Sequence, residues 1–372
     1  MYSGVVPLSS PRPRRSRGRG WRAWLASSLR RSPRPLWVVV TAHILALGIA
    51  LLLYALPHHV IPRKRASLGV TSSRYASVQA ATETPPAADS TPAPEATQAP
   101  AETATPEPTP TPRVGDFRAR FPGMFTDGRV ERTDTSYRSG NISISLSNEF
   151  SEIMKSRVYI ADIYIADISC LRTVFALDTY GLGYIEWLPT IAERSGAVVS
   201  INGDYYGARD TGVVIRNGEL YRNNKVTQDV AILYWNGEFD TLSPENFDAL
   251  AEMERGAYQS WYFGPMLLDE NGKSMSGFNA TYGVLKHNPR SAIGYYEPGH
   301  YCFVAVDGRN DESTGASIHN MSDFMERLGC TKAYNLDGGQ TSLLCFGTAL
   351  YNMPSDGGRD TSDAIIIVDQ VS

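Results

Sequence analysis

No Asp or Glu occurs in the first 65 residues, no aromatic residue between positions 81 and 112, and no Cys before Cys170. Each absence excludes something. Residues 1–65 carry 11 Arg and 1 Lys, a charge of +12 with nothing opposing it. Residues 66–372 are left with 23 basic and 39 acidic side chains, or −16. A body of that sign lacks the basic footprint of nucleic-acid binding, so no nucleic-acid partner is expected. The four cysteines (Cys170, Cys302, Cys330, Cys345) make no C-x-x-C and no Cys/His pattern, which excludes a zinc module of ordinary spacing. His287 and His319 are isolated and are given no role.

What is present at the N-terminal end is one long apolar run, "LWVVVTAHILALGIALLLYAL" at 36–56, with no formal charge. At ~1.5 Å per residue it is long enough for a ~30 Å hydrocarbon layer. It is longer than a signal-peptide core and has no convincing small-residue cleavage site after it. The preceding arginines place the N-terminus in the cytoplasm by the positive-inside bias. The expected localisation is therefore the cell membrane, single-pass, with the C-terminal domain extracytoplasmic. Residues 81–112 hold nine Pro and no aromatic. They cannot bury enough apolar surface to offset chain entropy and are expected to stay extended. The expected organisation is a basic cytoplasmic tail at 1–35, a transmembrane anchor at 36–56, a Pro/Thr/Ala-rich linker at 57–113, and a domain at 114–372. On the oxidising side of a membrane the four cysteines allow three full disulfide connectivities, which spacing does not rank.

The domain opens on β-type runs. "RVYIADIYIAD" (157–167), "GAVVSINGDYYG" (196–207), "VAILYW" and "YCFVAVDG" read as strands, and "GVVIRNGELYR" (212–222) as a hairpin about Asn217-Gly218. "PENFDALAEMER" (244–255) reads as a helix. So does "SIHNMSDFMERLG", with Ser317 as N-cap, an apolar stripe of Ile318, Met321, Phe324, Met325 and Leu328, and Gly329 as the stop. That helix joins two nearly continuous apolar strands, 301–307 and 332–337, the pattern of a parallel pair buried on both faces. The expected fold is α+β or mixed α/β: one large domain whose mixed sheet contains a parallel strand–helix–strand unit, preceded by one transmembrane helix and a disordered linker.

The first of those strands ends in "VDGR" and the second in "NLDGG". A parallel arrangement brings Asp307, Arg309, Asn335 and Asp337 to one edge, where ligands collect in such units. The bland alternative is two unrelated turns, with Asp accepting backbone hydrogen bonds and Gly taking positive φ.

"SINGDYYG", "GVVIRNGELY", "RSAIGYY", "FVAVDGR", "GASIHNMSDFMERLGCTKAYNLDGGQTS" and "YNMPSDGGRDTSDAIIIV" occur in this order. The series resembles the phosphodiester glycosidase family over roughly 155–370. Bacterial members of that family are often labelled exopolysaccharide biosynthesis proteins, which suggests a cell-envelope role in carbohydrate metabolism. The family commonly has Gly and Phe at Asp204 and Tyr205, and a third Gly at Gln340.

The resemblance implies cleavage of a sugar-1-phosphodiester. A phosphate leaves as a stable anion, so strong acid help is less needed than carboxylates near the sugar and Arg near the phosphate. Asp337 and Asp307 are the catalytic candidates. Arg290, Arg309 and Arg359 are the phosphate candidates, with Thr341, Ser342 and the backbone of Gly338 and Gly339 as further donors. Asn202, Asp204 and Asn335 complete the expected substrate-binding set. No cofactor or metal is expected, since two carboxylates without signature spacing do not specify a cation. The expected function is a membrane-anchored extracytoplasmic hydrolase acting on a sugar-1-phosphodiester of a surface or cell-wall glycan. The alternative is a non-catalytic glycan-binding or polysaccharide-assembly protein on the same fold.

Overall fold

The computed structural model describes residues 115–370 together with Val38, Thr41, His43 and 45–47. Those six N-terminal residues are helical. Among the described residues no helix is long and apolar enough to cross a membrane. This overturns the single-pass anchor at 36–56 and the cell-membrane localisation built on it. Apolar length is a property of composition, whereas a span also needs one uninterrupted helix. Most of that run, the basic tail and the 57–113 linker lie outside the described residues.

The chain first lays down β1 (Glu131–Arg132), β2 (Ser136–Arg138), β3 (Ile142–Ser151) and β4 (Ser156–Ile165) as a meander. Then follow β5 (Leu171–Phe175), helix α1 (Leu188–Ser195) and β6 (Ala197–Asn202). The hairpin of β7 (Val213–Arg216) and β8 (Glu219–Asn223) turns at Asn217 and Gly218, both with positive φ, as the Asn-Gly pair predicts. A small sheet comes next, from β9 (Val230–Tyr234), β10 (Phe239–Leu242) and β11 (Ala257–Trp261), with α2 (Ala249–Glu254) between the last two. This helix is shorter than the expected 244–255, because Asp248 caps its N-terminus by accepting from Leu250 N and Ala251 N.

The C-terminal half contributes α3 (Tyr282–Leu285), β12 (Arg290–Glu297), β13 (His300–Val306), α4 (Ile318–Arg327), β14 (Lys332–Asn335), β15 (Leu344–Phe346), β16 (Ala349–Leu350) and β17 (Asp363–Val368). Seven strands form one sheet in the order β1-β2-β3-β4-β13-β12-β14, and five form another in the order β16-β15-β6-β17-β5. The two sheets share a core in which Ile163, Phe303 and Ile293 meet Val199, Ile201 and Ile365. Outside the first sheet α4 packs Ile318, Met321, Phe324 and Met325 on Val304 and Val306. Outside the second, α1 packs Leu188, Ile191 and Ala192 on Ala364 and Ile366. The layers run helix, sheet, sheet, helix.

Every strand pairing is antiparallel among the described residues, so the expected parallel strand–helix–strand unit is absent. Strand β12 lies between β13 and β14. The physical reason for the misreading is visible in β13. Tyr301, Phe303 and Ala305 face the inter-sheet core while Cys302, Val304 and Val306 face α4. Burial on both faces erases the period-two pattern in an antiparallel strand as fully as in a parallel one. Being antiparallel to the same neighbour, β13 and β14 nonetheless run in one direction. Their C-terminal ends, followed by Asp307 and Asp337, leave from one edge. Helix α4 carries the expected Ser317 cap, with Asn320 completing a capping box, and Gly329 follows it with φ +82.

Candidate active site

At that edge Asp337 is almost wholly buried. Its Oδ1 accepts from Gly338 N at 2.9 Å and its Oδ2 from Thr341 Oγ1 at 2.6 Å. Arg359 Nη2 stands 3.4 Å from Oδ2, its side chain 44% exposed. Burial raises the Asp337 carboxyl above the usual carboxylate range, against the pull of Thr341, Arg359, Gly338 and the nearby Arg209. Asn202, from the end of β6, fixes the backbone beneath: its Nδ2 donates to Asp337 O at 2.8 Å, while its Oδ1 accepts from Ser291 Oγ and Leu343 N. Asn202 is fully buried, and its amide is engaged by these partners.

Arg359 and Arg209 share an aromatic partner. Their guanidinium carbons lie 5.5 and 5.9 Å from the centroid of the Tyr205 ring, and Arg209 also lies 5.3 Å from that of Phe263. Tyr205 holds φ +67 and Arg309 holds φ +59, left-handed conformations in which non-glycine residues are strained. Arg309 bends over Gly339, with Nη1 3.2 Å from where a Cβ would stand, and donates to Asn288 Oδ1. A side chain at 339 would meet that guanidinium, and Gly339 itself has φ +72.

The other expected residues are placed differently. Arg290 is buried, and its Nε donates to Ala316 O at 3.0 Å while its Nη2 donates to Val284 O and Lys286 O. Burial, with Arg309 close by, lowers it to about 10, so it stays charged at neutral pH. It clamps the 284–286 and 316 backbone and adds positive potential. Asp307 accepts from Asn352 Nδ2 at 3.0 Å and from Met353 N, and burial raises its carboxyl. Asn352 also donates to Ser342 O, so Asp307 reaches the Asp337 loop through a shared partner. Asn335 donates to Gly264 O. Ser342 Oγ is buried without a protein partner, 3.8 Å from a Cβ position on Gly338.

Asp204 does not face this edge. It accepts from Tyr262 N at 2.7 Å and pairs with Arg216 Nη2 at 2.9 Å, and Arg216 pairs in turn with Asp363. All three side chains are fully buried. Arg209, Phe263 and Asn352 near the site, and Arg216 and Asp363 of the sealed cluster, were not legible in the sequence. The available signal was Arg216 itself, a lone cation within the buried strand "VVIR" that has to find a carboxylate. Among the described residues no three His, Cys, Asp or Glu side chains gather to hold a metal ion. A cleft of about 570 Å³ is lined by Val226, Thr227, Asp229, 243–245 and Asn279.

Residues 195–368 match the family model described as phosphodiester glycosidase. The matched segment is just under half of the chain. It contains every candidate from Asn202 to Arg359. An SPbeta prophage-derived uncharacterized protein of Bacillus subtilis is 27% identical over 186 residues, 48% of this chain and 29% of that protein. Bovine N-acetylglucosamine-1-phosphodiester alpha-N-acetylglucosaminidase is 29% identical over 91 residues, 24% of this chain and 17% of that enzyme. The chain thus spans less than a third of these relatives. The zebrafish enzyme of the same name, as a catalytic domain auto-inhibited by its pro-peptide, superposes with TM-score 0.50 at 19% identity, over 62% of this chain and 83% of that one. That likeness concerns the fold.

Proposed function

We propose that this phosphodiester glycosidase domain hydrolyses a sugar-1-phosphodiester linkage in a phosphate-containing glycan. The observation that carries the reading is a single buried carboxylate, Asp337, held by Thr341 and Gly338 beside Arg359, with Arg209 acting on the same group. One carboxylate among guanidiniums is suited to a substrate that is anionic on one side of the broken bond and cationic in its transition state on the other. Asp337 in its ionised form stabilises the oxocarbenium-like sugar, and Arg359, Arg209 and Arg309 hold the departing phosphate. A guanidinium fork matches phosphate oxygens, and the phosphate leaves as a stable anion without strong acid help. The faces of Tyr205 and Phe263 beside the arginines offer an apolar surface to a sugar ring.

The name of the bovine relative makes N-acetylglucosamine the first sugar to try. Incubation of the chain with the methyl phosphodiester of N-acetylglucosamine-1-phosphate is expected to release free sugar, and Asp337→Asn to abolish the release. Equal turnover by wild type and variant would falsify the assignment. A non-catalytic reading would rest on the departures at Asp204 and Gln340. Asp204 lies within a sealed ion cluster and Gln340 donates to Asp356, so neither departure supports loss of the carboxylate's function.

A further inference from the structure

Two of the four thiols lie together in a place that sequence spacing does not reveal. Cys302, on β13, and Cys330, in the turn between α4 and β14, have Sγ atoms 3.7 Å apart in the core under α4. Cys170 and Cys345 sit in two other core clusters. What lets the pair meet is Gly294 on β12, the strand between them. A Cβ there would stand 2.6 Å from one sulfur and 2.7 Å from the other, so any other residue would occupy the space between them. Tyr296, half-buried two residues further along β12, packs against the core cluster that holds both sulfurs.

We propose that Cys302 and Cys330 are a disulfide site, closing a loop that contains α4 and tying β13 to the approach of β14. The oxidant is a small-molecule disulfide such as oxidised glutathione. Cys330, at 3% exposure the less enclosed of the two, attacks as thiolate, forms a mixed disulfide and expels one glutathione thiolate. The Cys302 thiolate then attacks the Cys330 sulfur and expels the second. Two protein thiols are oxidised, one glutathione disulfide is reduced to two thiols, and two protons pass to solvent and the leaving thiolates. The bond fixes the relative slide of the two strands that end at Asp307 and Asp337. It does so from behind the sheet, on the face opposite the inter-sheet core.

The test uses the full chain incubated with oxidised glutathione, denatured without reductant and alkylated. Intact mass should show two alkylated thiols in place of four, and a digest should yield one cross-linked peptide joining Cys302 to Cys330. Oxidation should raise Tm by roughly 5–10 °C, as expected for closing a loop of this length in a domain of this size. Dithiothreitol should reverse the rise, and Cys330→Ser should never show it. Four alkylated thiols after oxidation, a bridge through Cys170 or Cys345, or an unchanged Tm with the bridge formed would each overturn the proposal.

Discussion

Two clusters in this domain are built from the same side chains and do opposite things. Asp204, Arg216 and Asp363 put two carboxylates on one guanidinium, with no exposed surface on any of the three. Around Asp337 the ratio is reversed: one carboxylate stands near Arg359 and Arg209, and the Arg359 side chain is 44% exposed. The first cluster leaves a surplus of negative charge that only the protein can answer. Burial together with Asp204 pushes Asp363 up to about 7 despite Arg216. The second leaves a surplus of positive charge that opens to solvent, where an anionic substrate can answer it. Charge balance and access separate the two clusters where residue identity does not.

The largest expected effect tests the open cluster. Asp337→Asn should lower turnover of the sugar phosphodiester by about 10³–10⁴-fold, or roughly 4–5.5 kcal/mol of barrier, with Tm little changed. A comparable loss of stability would turn Asp337 into a second structural carboxylate and dissolve the contrast. Wild-type activity should also fall as pH drops through a titration above the usual carboxylate range. Burial raises Asp337, and the proposed chemistry uses its ionised form.

The sealed cluster should respond in the other currency, folding stability. Arg216→Met leaves two buried carboxyls facing each other and should destabilise by about 3–5 kcal/mol in denaturant melts, with activity per folded molecule preserved. Wild-type stability should carry the signature of Asp363 in its pH dependence. Its folded value is raised to about 7, so the native state holds a proton that the unfolded chain releases near pH 4. Its contribution is complete below about pH 4 and fades as pH rises through 7, with a slope of at most about 1.4 kcal/mol per pH unit. Asp363→Asn should flatten that part of the profile; an unaltered slope would remove Asp363 from the account.

The sequence disclosed these clusters unequally. Strand positions, the Asn217-Gly218 hairpin and the Ser317 cap were legible because each rests on local chemistry: branched residues, positive φ and an N–H in need of an acceptor. Strand neighbours were not, since β13 is buried on both faces and its apolar run fits either orientation of partner. The Asp307 and Asp337 turns were found through their shared edge. What each carboxylate touches depends on residues far away in the chain, such as Asn352 for Asp307. Arg290 shows the same limit. Its charge is evident in the sequence, but its three carbonyl acceptors come from backbone brought together by the fold. Asp204 looked like an added site carboxylate because its partner Arg216 lies twelve residues on in a different strand.

A smaller effect sharpens the open cluster from within. Arg209→Ala and Arg359→Ala should each lower kcat/KM by roughly 10–100-fold, about 1.4–2.8 kcal/mol, mainly through weaker phosphate contact. Both arginines also favour the ionised form of Asp337. Removing either should therefore move the acid limb of the activity profile to higher pH. Loss of kcat/KM with an unmoved limb would mean that the arginines hold substrate without acting on the carboxylate.

The smallest effect concerns Gln340, where the family commonly has Gly. Gln340 is in a short helical turn and is not among the residues with positive φ, so its backbone asks for nothing that only Gly provides. Its side chain donates to Asp356 Oδ2 at 3.0 Å, joining the Asp337 loop to the turn before Arg359. Gln340→Gly would release that tie and enlarge the conformational freedom of the unfolded chain. A loss of no more than about 1 kcal/mol in stability is expected, with turnover within about twofold of wild type. If turnover instead rose or fell tenfold at constant stability, the tie through Asp356 would be setting the position of Arg359, and the open cluster would extend one residue further than its charges indicate.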